Sequence, residues 1–94
     1  MTFPEGWEWD EEKAERNLAA HGVGFEDATW LDLKGGVERT DDRFDYDGEV
    51  RLRAIAPLDG RLHVMVYTWR DGRRRVISLR KANLRERRWY ERER

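Results

Sequence analysis

Arginines on predicted strands are the side chains of this chain best suited to chemistry. A guanidinium presents a rigid fork of N–H donors that matches a phosphate group, and a strand holds that fork more firmly than a loop does. The candidates for binding an anion are Arg51, Arg53, Arg80 and Lys81. Arg51 and Arg53 share one face, and if Arg80 lies on the same face, a phosphate could bind beneath several guanidiniums. The alternative for any single residue is an ordinary solvated charge.

Charge is divided almost cleanly between the two halves of the chain. Residues 1–49 carry 15 Asp and Glu against 5 Lys and Arg, a net charge of −10, whereas residues 50–94 carry 5 against 14, a net charge of +9. A basic half suits a large anion, and the commonest one in a cell is nucleic acid. Arg70 and Arg87 of this half are therefore further candidate contacts. Alternatively, the two halves neutralise each other across the fold, although surface ion pairs contribute little stability.

Three side chains could transfer protons beside these cations. Glu86 and Tyr90 are four residues apart on a predicted helix and so share one face. Glu86 could instead form a capping box with Asn83, which would occupy its carboxylate, and Tyr90 could pack under the sheet. His21 could act as a general base. Its place at a helix end, just before Gly22, favours a structural role in which a cationic imidazole complements the helix dipole.

No metal or cofactor site is predicted. The chain has no Cys and two distant His residues, so a zinc site is improbable. The acidic run 41–48 resembles a calcium loop, but aligning Gly48 with the sixth position puts Arg43 and Ala54 at ligand positions, which rejects it. No apolar stretch approaches the roughly 18 residues of a membrane span, and the N-terminus lacks a signal-peptide pattern. We therefore expect a cytoplasmic protein.

Three helices are predicted, two near the N-terminus and one at the C-terminus. Asp10 has the properties of an N-cap, and Gly22 has those of the left-handed residue that follows a helix. A second, short helix is predicted over residues 25–31, whose apolar residues would share one face. Asn83 and Glu86 have the spacing of a capping box, so the third helix follows them to the end of the chain.

Beyond Lys34 the apolar period changes to two, and Asp-Gly pairs interrupt it at 47–48, 59–60 and 71–72. Asp-Gly favours type I′ turns, because both central residues need positive φ. The turns predict four antiparallel strands, near 34–41, 49–57, 61–70 and 73–81, with a short additional strand possible at 6–9. The third of these, 61–70, carries bulky residues on both faces and is expected at the centre of the sheet.

These elements predict one α+β domain over residues 1–94. Its expected architecture is two N-terminal helices, a four-stranded antiparallel meander and a C-terminal helix. Although 41% of the residues are charged, 11 are aromatic. A few large side chains can therefore form the core of so small a domain.

Motifs along nearly the whole chain resemble the BrnT toxins of bacterial type II toxin–antitoxin systems, members of the wider RelE-like group. The matching residues are Trp9-Asp10, Lys13, Asn17, His21-Gly22-Val23, Phe25, Ala28, Asp42-Arg43, Gly48-Glu49, Arg51, Gly60-Arg61-Leu62, 64–68, 76–82, Glu86-Arg87 and Tyr90. The resemblance implies a RelE-like fold, a metal-free endoribonuclease activity and a cognate antitoxin of the BrnA type, with a heterotetramer possible. Ala56-Pro57 departs from the pattern, which usually has a Gly and a polar residue there.

The implied reaction uses the 2′-hydroxyl of the RNA itself as nucleophile. The protein must then supply cations for the pentavalent phosphate, a base and an acid. Arg51 and Arg80 are the predicted cations, and Glu86, His21 or Tyr90 would move the protons, with acid and base left open. The predicted RNA contacts are Arg53, Lys81, Arg70 and Arg87. The alternative is a non-catalytic module that binds nucleic acid or protein and acts through a partner.

Overall fold

The computed structural model describes residues 2–43 and 45–94, and its centre is one five-stranded sheet. The strands are β1 (Trp7–Trp9), β2 (Val37–Thr40), β3 (Leu52–Leu58), β4 (Arg61–Arg70) and β5 (Arg73–Lys81). They lie in the order β1-β5-β4-β3-β2, so β4 is central, as its two bulky faces predict. The helices are α1 (Glu11–His21) and α2 (Leu84–Glu93), and two short 3-10 segments cover Phe25–Trp30 and Leu33–Gly35.

The predicted fold class is wrong in two respects. The sheet has five strands and is mixed, because β1 pairs in parallel with β5, whereas the other pairs are antiparallel. Pairing of β1 is decided by tertiary contacts: Trp9 is buried in the core, and Glu8 forms an ion pair with Arg75, its partner in register. The molecule is therefore not a four-stranded antiparallel meander, nor does it begin with two α-helices.

The second predicted N-terminal helix is the 3-10 segment Phe25–Trp30. Its buried residues Phe25 and Ala28 are three positions apart, a spacing that brings side chains together in a 3-10 helix, which has three residues per turn. Apolar spacing alone therefore did not separate the two helix types. Gly24 precedes the segment and provides no side-chain cap, which removes one of the usual stabilising features of a longer α-helix.

The Asp-Gly turns are confirmed in conformation, but only two of them close tight hairpins. All three pairs have positive φ, with values of 50–55° at Asp and 77–83° at Gly. Those at 59–60 and 71–72 connect strands whose predicted bounds, 61–70 and 73–81, are confirmed. The pair at 47–48 lies inside a longer connection between β2 and β3. The predicted strands 34–41 and 49–57 are correspondingly shifted to Val37–Thr40 and Leu52–Leu58.

Each face of the sheet is covered by a separate core. One face packs against α1 and the first 3-10 segment, with Phe25, Met65 and Leu79 fully enclosed. The buried amide of Asn17 joins α1 to β5, donating to the Leu79 carbonyl at 2.7 Å and accepting from the Leu79 N–H at 3.2 Å. The opposite face packs against α2 through Tyr90, which lies over a smaller cluster. No helix among residues 2–43 and 45–94 is long and apolar enough to cross a membrane.

Candidate functional site

A cleft of about 490 Å³ lies on the α2 face of the sheet, beside the start of α2. We call it the arginine cleft, and its lining residues are Arg43, Arg53, Ile55, Arg80, Asn83, Arg85, Glu86, Trp89 and Arg92. Five of these side chains are arginines and one is a carboxylate. A concave surface with such an excess of positive charge concentrates its potential on an anion.

Strand register brings the cleft arginines to the same face. Val64 of β4 lies between Ile55 of β3 and Arg80 of β5. Because alternate residues of a strand point the same way, Arg53 lies on the face of Ile55, and therefore on the face of Arg80. The sequence left open whether these faces coincide, and the structure shows that they do.

Glu86 forms the capping box that the sequence offered as one alternative, and it also binds Arg80, an interaction that the sequence did not predict. Its two carboxylate oxygens accept from the two terminal nitrogens of Arg80, each at 2.7 Å. The capping box is also present: Glu86 Oε1 accepts from the Asn83 N–H at 2.9 Å, and Asn83 Oδ1 accepts from the Glu86 N–H at 2.8 Å. The hydrogen bonds from Arg80 are the main cause that lowers the pKa of Glu86. Burial is the next largest effect, and it opposes this lowering. The carboxylate is therefore fully ionised at neutral pH.

Arg53 differs from the other strand arginines of this face. Its Nε is buried and has no hydrogen-bond partner in the part of the chain that the structure describes. Within the described part of the chain it has no ion pair, whereas Arg80, Arg51 and Arg75 each bind a carboxylate at 2.6–2.8 Å. A buried donor without a partner is costly, and an anion bound to the same guanidinium would offset part of that cost.

Arg43 is a cleft residue that the sequence reasoning missed. It appeared only as a mismatched ligand in the rejected calcium loop and as part of the Asp42-Arg43 motif. Its guanidinium is held by the buried carboxylate of Asp41, at 2.7 and 3.0 Å. Arg85 and Arg92 of the cleft were missed as well. Their helical spacing on α2 was visible, but nothing in the sequence showed which face of α2 meets the sheet.

Several predicted contacts lie outside the cleft lining. Arg51 donates to Glu49 at 2.8 Å and stacks over Tyr46 at 4.1 Å, and Arg70 reaches the same Glu49 at 3.4 Å. Lys81 follows Arg80 on β5 and lines a different groove, beside Trp30. Arg87 is exposed on α2.

The two other proposed proton carriers are also elsewhere. His21 is exposed at the end of α1, in a shallow groove with Ile77 and residues of α1. Tyr90 is buried, and its hydroxyl donates to the Gly35 carbonyl at 2.6 Å. The structure thus brings together Arg53, Arg80 and Glu86 among the predicted site residues. Among residues 2–43 and 45–94, no group of three or more His, Asp or Glu residues could hold a metal ion.

Comparison with known protein families identifies the chain's family. A family model described as a ribonuclease toxin, BrnT, of type II toxin–antitoxin systems matches residues 9–86, most of the chain. The matched range contains the last residue of β1, all of β2 to β5 and the part of α2 that carries Glu86. No curated protein matches the chain.

Proposed function

Because this chain belongs to the BrnT family of ribonuclease toxins of type II toxin–antitoxin systems, we propose that the arginine cleft cuts RNA without a metal ion. Family membership implies an RNA substrate and an antitoxin partner. The observation that carries the proposal is Arg53, a rigid strand cation with a buried Nε that no group of the described chain satisfies. A phosphodiester of the substrate supplies the anion that this guanidinium lacks.

The proposed reaction is an internal transfer at phosphorus. The 2′-oxygen of the substrate bonds to the adjacent phosphorus, its proton passes to a base, and the bond from phosphorus to the 5′-oxygen breaks. The leaving 5′-oxygen takes up a proton, so the products are a 2′,3′-cyclic phosphate and a 5′-hydroxyl. The pentavalent phosphorus carries extra negative charge, which Arg53 and Arg80 stabilise from fixed positions on the sheet.

Glu86 is the base in this proposal. It is the one carboxylate of the described cleft lining, since the other ionisable groups there are arginines. At rest its pKa is lowered, chiefly by Arg80, which makes it a weak proton acceptor. A phosphate that binds Arg80 competes for the same fork of N–H donors, so Glu86 loses its strongest partner and its pKa rises. Substrate binding thereby improves the base at the moment when it is needed.

The acid for the leaving oxygen is water in this proposal, because the open cleft admits solvent and its arginines do not give up protons. Arg51, His21 and Tyr90 have no role here, since they lie outside the lining.

The test is digestion of a defined RNA by the purified toxin in excess EDTA. We expect cleavage to continue and to leave cyclic or 3′-phosphate ends with 5′-hydroxyls. Arg53→Ala should remove the activity, whereas Arg16→Ala, which removes the same charge from the exposed surface of α1, should not. Activity that stops in EDTA and returns with magnesium, or equal activity of the two variants, would contradict the proposal.

We further propose that the antitoxin is of the BrnA type and that the pair forms a heterotetramer in the cytoplasm, where the RNA substrate is. The outer surface of α2 suits such a partner, because exposed Leu84 lies beside Arg87, Arg88 and Arg92. An acidic protein with an apolar anchor would match this surface. Light scattering of the co-expressed pair measures the stoichiometry, and a mass of one toxin with one antitoxin would rule out the heterotetramer.

A further inference from the structure

Asp41 is a buried carboxylate that the proposed reaction does not use. Its side chain is 0% exposed, and it accepts three hydrogen bonds from side chains. Two come from Arg43, at 2.7 Å from Nε and 3.0 Å from one terminal nitrogen, and the third comes from the Tyr46 hydroxyl at 2.9 Å. A charged group buried at such cost is normally fixed in place by its partners, and it fixes them in return.

The backbone anchors this carboxylate to the sheet. The N–H of Asp41 donates to the Arg51 carbonyl at 2.7 Å, immediately before β3 begins. The hydrogen bond from Arg43 is the main cause that lowers the pKa of Asp41 to about 2. Asp41 therefore stays ionised in any ordinary buffer, and the direction of Arg43 does not depend on pH.

Arg43 extends from this anchor to the arginine cleft, which it lines with Arg53 and Arg80. Its side chain is 47% exposed, so it remains open to a ligand. Its charge acts on the cleft: the pKa of Arg43 is raised mainly by Asp41 and to a small extent by Glu86, and Arg43 in turn opposes the rise in the pKa of Arg80. Asp41 thus helps to hold at the cleft a cation whose long side chain extends from a loop.

A stability role alone accounts poorly for this arrangement. The pair joins residues two apart in the chain, so it closes only a very short loop, and one partner is half exposed, where ion pairs contribute little. What the bidentate bond does supply is direction, since a planar guanidinium bound along one edge has a fixed plane.

We propose that Arg43, oriented by Asp41, binds a second phosphodiester of the RNA, next to the one at Arg53 and Arg80. RNA carries a phosphate at every nucleotide. An RNA strand that places one phosphate at Arg53 and Arg80 therefore brings the next phosphate to the side of the cleft where Arg43 lies. Asp41 is then a positioning residue that acts through Arg43. This inference rests on the proposed function, because it assumes that RNA occupies the cleft.

The experiment compares RNA ligands of two lengths, a dinucleotide with one phosphodiester and a tetranucleotide with three. Both carry 2′-O-methyl groups, which remove the nucleophile so that binding is measured without cleavage. Titrations at several salt concentrations are run on the wild type and on Arg43→Ala, Asp41→Asn, Asp42→Asn and Arg53→Ala. Asp42 is the matched control, because it is an exposed carboxylate next to Asp41 and undergoes the same change of charge.

Arg43→Ala should weaken binding of the tetranucleotide about tenfold and leave the dinucleotide within about twofold, as one lost charged contact predicts. The slope of log affinity against log salt should fall by about 0.7 for the tetranucleotide, the value for one phosphate contact on a single strand. Asp41→Asn should show part of the same loss of tetranucleotide affinity, and Asp42→Asn should show none. The double variant, Asp41→Asn with Arg43→Ala, should lose no more affinity than Arg43→Ala alone. Arg53→Ala should weaken both ligands.

Equal losses for both lengths, or none, in Arg43→Ala would overturn the inference while leaving the proposed function intact, provided that Arg53→Ala weakens both. Full additivity of the Asp41 and Arg43 changes would also overturn the positioning role. If Arg53→Ala changes neither ligand, the proposed function itself fails. Should Asp41→Asn unfold, Arg43→Lys replaces it, since Lys keeps the charge but lacks the planar fork and should lose a part of the tetranucleotide affinity.

Discussion

Arg53 and Arg74 lie on opposite faces of the same sheet, and in each the Nε is buried without a hydrogen-bond partner among residues 2–43 and 45–94. Their surroundings are opposite in character. Arg53 borders a cleft whose other charged groups are four more arginines and Glu86. Arg74 is enclosed by aromatic rings, with its guanidinium 4.6 Å from the centre of the Trp69 ring and 5.5 Å from those of Trp7 and Tyr67.

This difference separates a cation that the fold satisfies from one that it leaves for a ligand. The faces of aromatic rings carry negative potential, so the three rings help to compensate the charge of Arg74, and Glu38 lines the same groove as Arg74. Register explains how they meet, since Trp7, Arg74 and Trp69 are direct cross-strand neighbours. Arg53 lies among four other arginines of the described cleft lining, with Glu86 as its carboxylate, so the charge around it is positive in excess. An unsatisfied donor thus indicates a binding site only where its surroundings leave the charge uncompensated.

The largest expected effects come from removing each of these two arginines. Arg53→Ala should lower RNA cleavage by about a hundredfold or more, the usual loss for a fixed charge at a developing oxyanion, and change the free energy of unfolding by less than about 1 kcal/mol. Arg74→Ala should do the reverse, lowering the unfolding free energy by about 1–2 kcal/mol and changing cleavage by less than about threefold. Single-turnover cleavage and urea unfolding measure the two quantities. Parallel losses in both variants would remove the distinction between the two faces.

Glu86→Gln sharpens the cleft side of the comparison. Gln keeps the size and the carbonyl oxygen that caps Asn83, but it cannot accept the proton, so cleavage should fall by about a hundredfold. Glu91→Gln on the exposed side of α2 is the control and should change nothing. The pKa of Glu86 is lowered in the free protein from the ordinary glutamate value of 4.5. The kcat/KM of the wild type should therefore stay constant from pH 8 down to pH 4.5 and fall only below pH 4.5. A decline centred near pH 6 would show that another group is the base.

Asp41 gives an acid-stability prediction of intermediate size. Its pKa is about 2 in the folded chain and 3.8 as the ordinary value, so the stabilisation is fully present above about pH 4 and is lost as the pH falls from 4 to 2. The shift corresponds to at most about 2.5 kcal/mol, and less because Arg43 is half exposed. Urea unfolding at pH 7 and pH 2.5 should therefore show a larger acid-induced loss for the wild type than for Asp41→Asn. Equal losses would mean that the ion pair between Asp41 and Arg43 does not stabilise the folded chain.

Trp69→Leu is the smallest change and tests the aromatic side. It removes the ring nearest to Arg74 but keeps an apolar side chain at a position that is 51% exposed. The unfolding free energy should fall by about 0.5–1 kcal/mol, the size of an exposed cation–π contact. When the purified wild type and the Trp69→Leu variant are each titrated with RNA, their affinities should be equal. A weaker complex would mean that RNA reaches both faces of the sheet, which would end the contrast between Arg53 and Arg74.

The sequence by itself determined the local elements. Asp10, Gly22 and Asn83 delimit α1 and α2 as predicted, because helix caps depend on a few adjacent residues. The Asp-Gly pairs at 59–60 and 71–72 fixed β3, β4 and β5 as an antiparallel set, since both turn residues need positive φ that few other sequences supply. Once those turns are set, strand alternation alone separates the faces of Arg80 and Lys81.

Only the tertiary structure decided which of these elements meet. The parallel pairing of β1 at the edge of β5 depends on burial of Trp9, a contact between distant parts of the chain. The cleft depends on how α2 lies over the sheet. Tyr90 and Glu86 share one side of the helix, and this placement directs Tyr90 to the Gly35 carbonyl and Glu86 to Arg80. Arg43 enters the site from an irregular loop, where no periodicity indicates direction. Spacing along a chain specifies local geometry, whereas a binding site needs the relative placement of segments, and that is set by packing.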